Sequence, residues 1–305
     1  ASDYAANDEA ATSGMLNSAV SYIDNITNPE TATTVVDAKG GNLYKDTKAI
    51  TDEIGNTVYI PGGFKVASDS ATKVEDGIVI EDSKGNQFVW IPVSSTELAE
   101  MYTEAPGTAL SRYTGVDTTT GVYSKLKSST DGSSGYGGIP GSTTYREPDI
   151  LIDTSYGDAS TTNGIDLIKS VFGYEGSNAE ILDQFADMLV ANYEEAYKSI
   201  KEYGGFYIGR YELTGSVASP TVQKGQTVLA NQNWYKSYKA CSNVVNTDFA
   251  KSTMIAGTQW DRVLEWLVDT GEKSSSEVYS NSSSWGNYNN STGEAVTGSG
   301  SKRQS

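Results

Sequence analysis

Trp285, Asn287, Tyr288, Asn289 and Asn290 form the densest grouping of recognition-type side chains in the chain, set in a stretch rich in Ser and Gly. Aromatic rings of this kind offer large contact area with few rotors, and amides offer hydrogen bonds in both directions. The grouping is therefore a candidate ligand-binding site, with a solvated loop as the alternative. Reactive chemistry is more restricted. The 305 residues include no His, which removes the usual general base near neutral pH, the Ser-His-Asp and Cys-His arrangements, and imidazole metal sites. Cys241 is the only Cys, so no intrachain disulfide can form, and its position on an expected helix suits a buried, inert thiol. Asp261 and Glu265, four residues apart, could be an acid/base pair, but like charges so spaced on a helix ordinarily face solvent. Asp149, Asp153 and Asp158 supply the oxygen ligands that Ca²⁺ takes. No Asp-x-Asp-x-Asp-Gly loop accompanies them, so calcium stays open against simple solvated acids. The glycine-rich run 132–138 lacks a following Lys-Ser/Thr and reads as linker, not phosphate loop. No catalytic residue and no resident cofactor or metal is expected from these patterns.

The elements that must position these residues follow from composition and periodicity. With 39 acidic against 22 basic side chains the formal net charge is -17, which repels phosphate backbones and anionic lipid, so nucleic acid is not an expected partner. A hydrophobic fraction of 37%, with 20 Tyr and 5 Trp, is enough to build a core. No apolar run reaches the roughly 18 residues of a membrane span. Within a first segment of 1–30, residues from about Asp3 to Ile26 read as one amphipathic, Ala-rich helix stopped by Asn28-Pro29. Short extended runs follow at Val58-Tyr59-Ile60, Ile78-Val79-Ile80 and Gln87 to Ile91, with Ser83-Lys84-Gly85-Asn86 as a hairpin loop. Ser177 and Glu180 spell a capping box ahead of a helix carrying Ile181, Phe185, Met188, Leu189, Tyr193, Ala196 and Ile200, which Gly204-Gly205 ends. Phe206 to Glu212 is strand-like, and Asn233 caps an expected short helix bearing Trp234, Tyr238 and Cys241. Trp260, Val263, Leu264 and Leu267 mark a further helix, with both Trp260 and Trp266 read as core and rim residues. No repeat period is evident.

Tyr59-Ile60-Pro61-Gly62-Gly63-Phe64, Gly205-Phe206-Tyr207-Ile208-Gly209-Arg210-Tyr211-Glu212, Asn233 to Cys241, and Met254 to Asp261 together resemble the formylglycine-generating enzyme family, and most closely its non-catalytic bacterial and phage surface proteins. The likeness covers roughly residues 57–93 and 204–305. It implies an α+β, C-type-lectin-like domain over 31–305 with an insertion at about 94–203. The family's oxidase works through a pair of Cys, and this chain has one, so the resemblance implies binding without catalysis. The family also continues into an Asn-x-Trp-Glu-Trp-like strand and an Arg-Gly-Gly turn that do not occur before Ser305, which implies that a C-terminal part of the domain is lacking.

The first segment resembles the soluble half of a type IV pilin helix, an ordinary peripheral helix being the alternative. These likenesses imply a non-catalytic, extracellular binding module, displayed on a cell surface or pilus, with an unknown protein or glycan ligand and self-assembly through residues 1–26. A formylglycine-generating-type enzyme and a purely structural pilus subunit are the alternatives.

Overall fold

In a computed structural model the described residues, 32–103, 164–230 and 232–279, form an α+β arrangement with antiparallel sheets. The pilin-like helix over 1–26 lies outside the described residues. The chain divides into two compact units, Ala1–Trp90 and Ile91–Ser305.

In the first unit, a one-turn helix α1 (Val35–Ala38), capped by Thr34, precedes β1 (Lys48–Thr51), β2 (Thr57–Ile60), β3 (Phe64–Val66), β4 (Val79–Asp82) and β5 (Gln87–Pro92), whose end carries the boundary. Two of the hairpins share one turn. Asp52-Glu53-Ile54-Gly55-Asn56 joins β1 to β2, and Asp82-Ser83-Lys84-Gly85-Asn86 joins β4 to β5. Each Asp Oδ1 accepts the backbone N–H of the Asn four residues on, at 2.7 and 2.9 Å, and each Oδ2 accepts that Asn's side-chain amide, at 3.0 and 2.7 Å. Gly55 and Gly85 take the left-handed conformation that closes the turn, with φ of 93° and 83°. The registers correspond as well, Ile50 facing Val58 in one hairpin and Ile80 facing Phe88 in the other. A repeated Ile-x-Asp-x-x-Gly-Asn hairpin thus underlies this unit, where no repeat is legible as a period.

The two turns differ in burial. Asp52 is 4% exposed and its Oδ2 also accepts the N–H of Val74 from a distant 3₁₀ turn at 3.0 Å. Burial alone would raise its pKa, but the bonds from Val74, Asn56 and Ile54 outweigh it and hold the carboxyl below its ordinary value. The alternating inward residues Ile50, Val58, Ile60, Phe64, Val66, Ile80 and Trp90 are all buried, and Phe64 meets Phe88 edge to face at 5.9 Å.

In the second unit, α2 (Ser95–Thr103) and α3 (Gly164–Phe172) precede the long α4 (Asn178–Tyr203). Its start follows from the capping box, in which Ser177 Oγ accepts the Glu180 N–H while Glu180 Oε2 accepts the Ser177 N–H at 2.7 Å. Its stop follows from Gly204 at φ 72°. Ile181, Phe185 and Leu189, at successive spacings of four, are fully buried with Ile168 of α3 and with Tyr235 and Tyr238 of α5 (Trp234–Val244). Residues 164–203, which fall inside the segment expected as an insertion, therefore supply one of the unit's cores. A second core joins Val93, Leu98, Met101 and Ile200.

The strand expected through Glu212 is shorter, β6 spanning Gly205–Gly209. A side chain at Gly209 would stand 3.0 Å from Val222 and 3.2 Å from the Tyr211 carbonyl, so the chain bends there with another segment closely apposed. A minimal pair, β7 (Thr214–Gly215) and β8 (Pro220–Thr221), comes next. Among the described residues the order ends with α6 (Gly257–Asp269) and α7 (Ser275–Tyr279).

Candidate functional site

The helix α6 carries a buried and heavily bonded charged residue, Arg262. Gln259 caps its start, Oε1 accepting the Ala256 N–H at 2.9 Å, and Gln259, Arg262 and Val263 are buried. Of the stripe read at Trp260, Val263, Leu264 and Leu267, Val263 is buried and Leu264 and Leu267 are half-buried, and only Trp260 is turned outward. Trp260 is 47% exposed, while Trp266 is half-buried. The physical reason is Arg262. At 5% exposure it would be prohibitively costly without partners, and it has four. Nη2 donates to Glu97 Oε1 of α2 at 2.7 Å, Nη1 to Asp269 Oδ2 at 3.1 Å and to Glu265 Oε2 at 3.5 Å, and Nε to the Pro92 carbonyl at 3.3 Å.

Glu97 performs two tasks at once. Its Oε2 accepts the Ser94 N–H at 2.6 Å while Ser94 Oγ accepts the Glu97 N–H at 3.2 Å, a capping box that starts α2 and leaves Oε1 for the guanidinium. The Glu97 pair, with side chains 5% and 27% exposed, is the energetically weighty one; Glu265 and Asp269, at 60% and 61%, are largely screened by water. Burial raises the pKa of Glu265, Arg262 opposes that, and Asp261 and Asp269 add to the rise. The Asp261–Glu265 spacing is thus part of an ion cluster around a buried guanidinium. The cluster fastens α6 to α2 and to the end of β5.

Cys241 lies on α5 and is half-buried. Burial pushes its thiol up to about 11, against the slight opposing effect of a backbone hydrogen bond, so it is protonated at neutral pH. From an ordinary value of 9.0 this lowers the thiolate population about a hundredfold. Ellman's reagent at about pH 8 is therefore expected to label native chain roughly a hundredfold more slowly than urea-unfolded chain. Equal rates would contradict the burial. The same helix places Trp234 in a stack on Tyr238 at 4.8 Å, and Asn192 Nδ2 donates to the Tyr238 hydroxyl at 2.6 Å. On β6, Tyr207 is half-buried as a residue, yet its phenol is enclosed and burial raises its pKa well above the ordinary value.

Trp285, Asn287, Tyr288, Asn289 and Asn290 lie outside the described residues, as do Asp149, Asp153, Asp158 and the run 132–138. Among the described residues no group of three or more His, Cys, Asp or Glu is placed to hold a metal ion, and no helix is long and apolar enough to cross a membrane. Arg262 and Glu97 escaped the sequence reading. Their available signals were Ser94-x-x-Glu97 as a second capping box, and an Arg on the same helical side as Gln259, Val263 and Trp266. Compared with known proteins, the chain matches no family model, no curated protein and no solved structure.

Proposed function

We propose that the chain is a non-catalytic, extracellular binding module with a C-type-lectin-like fold, displayed at a cell surface or on a pilus through its first residues, and that Trp285, Asn287, Tyr288, Asn289 and Asn290 contact a protein or glycan ligand. The observation that carries this reading is the Arg262 ion cluster. It anchors α6, after which the chain runs through α7 directly into the aromatic and amide segment. Recognition by a segment of small and aromatic residues gains from a rigid point of attachment, because less entropy is lost on binding. The buried thiol of Cys241 weighs in the same direction, since the oxidase alternative needs a reactive one.

Arrays of immobilised glycans and of surface proteins, probed with the purified chain and with Trp285→Ala, test the reading. Saturable signal on a restricted set of spots, lost in the variant, is the expected result. Equal signal from both proteins would overturn the assignment of the site, and none from the intact chain would overturn the binding function.

A further inference from the structure

The outward side of α6 has a composition that its own packing does not explain. With Gln259, Arg262 and Val263 buried, the helix's geometry turns Trp260, Leu264 and Val268 the other way, at successive spacings of four. Trp260 is 47% exposed, and Leu264 and Val268 are half-buried. Ile255, just before the helix cap, is a further exposed apolar residue at 37%. Beside it runs an acidic row, Asp261, Glu265 and Asp269, at the same spacing. The buried Arg262 holds Glu265 and Asp269 from beneath at 3.5 and 3.1 Å, leaving their side chains 60% and 61% exposed.

We propose that this face docks a basic amphipathic helix of a partner protein. An apolar row flanked by fixed charges of one sign is the surface on which an amphipathic helix lays its own apolar face, with opposite charges alongside. The sign of the charge selects the occupant. A second copy of this chain brings another -17, and anionic lipid and nucleic acid are repelled in the same way. A partner rich in Lys or Arg is attracted by the whole molecule and paired locally by Glu265 and Asp269. It can also place a cation over the exposed Trp260 ring. Arg262 draws the two carboxylates to one side of the helix, which leaves them exposed beside the apolar row.

The face is made of residues other than 285–290, and its test is its own. Purified full chain is titrated with a synthetic helical peptide of Leu and Lys patterned for one apolar face, and with the Leu and Glu peptide of the same pattern, by calorimetry at low and physiological salt. Saturable binding of the Lys peptide alone, weakening with salt, is expected. Trp260→Ala is expected to weaken it about tenfold, as loss of an aromatic anchor does. Glu265→Gln should reduce both affinity and salt dependence, because one paired charge is gone. Trp285→Ala should bind as well as the parent, which separates this result from the fate of the proposed recognition segment. Melting curves confirm that each variant is folded. Absence of Lys-peptide binding, equal binding of the Glu peptide, or full binding by folded Trp260→Ala overturns the proposal.

Discussion

Arg262→Ala is expected to lower the unfolding free energy of the second unit by about 3 kcal/mol, with Arg262→Lys falling between the variant and the parent. Removing one partner of a buried ion pair leaves the other charge without compensation. Here the stranded carboxylate is Glu97, 27% exposed, while Glu265 and Asp269 regain water easily, which keeps the loss at the lower end of the range for buried pairs. The apolar stem of the arginine is lost in addition, and the Pro92 carbonyl loses a donor. Lysine keeps the charge but lacks the fork that reaches Glu97, Asp269 and Pro92 together. Urea melts followed by tryptophan fluorescence read this directly, since Trp260 and Trp266 sit on the same helix. A loss below about 1 kcal/mol would mean that water, not α2 and β5, satisfies the guanidinium.

Asp52→Ala is expected to destabilise the first unit by about 3 kcal/mol, and the equivalent change Asp82→Ala by about 1. The turn is the same, so the burial of the carboxylate itself and its long-range bond to Val74 are the variables. Asp52 accepts from Ile54, Asn56, the Asn56 amide and the buried N–H of Val74. Water cannot readily replace it at Val74, whereas the bonds Asp82 accepts all stay within its own turn, from the Lys84 N–H and from the N–H and amide of Asn86, which is itself buried. The pH dependence follows from the sign of the shift. The folded-state pKa of Asp52 is lowered, so its contribution is complete above the unfolded-state value of about 4 and disappears as pH falls through the folded-state value. The gap in stability between the parent and Asp52→Ala is therefore expected to be widest near neutrality and to close in acid. Parallel acid titrations of both proteins measure it, and a gap that does not narrow at all as pH falls below the unfolded-state value would contradict the account.

What the sequence revealed was whatever depends on neighbours a few residues apart. The Ser177–Glu180 box, the Gly204 stop, the Asn233 cap and the hairpin loop before Asn86 each follow from local hydrogen bonding or from a left-handed glycine. The outward turn of Trp260 did not follow, because a guanidinium turns inward only where a distant carboxylate and carbonyl wait for it, and Glu97 and Pro92 lie far away in the chain. An apolar stripe running through Trp260 is the natural reading when Arg262 is assumed to face water. The recurrence of Ile-x-Asp-x-x-Gly-Asn was visible in principle, but two short copies within irregular strands do not produce a period. The early end of β6 depends on how close Val222 comes to Gly209, which no local pattern records.

The central claim is that the chain recognises a ligand without transforming it. The most direct measurement incubates the ligand captured on the arrays with excess chain, then follows occupancy and the mass of the ligand together. The account predicts reversible, saturable binding that Trp285→Ala abolishes, with the ligand recovered at unchanged mass. Time-dependent conversion of the ligand by the parent chain would contradict it.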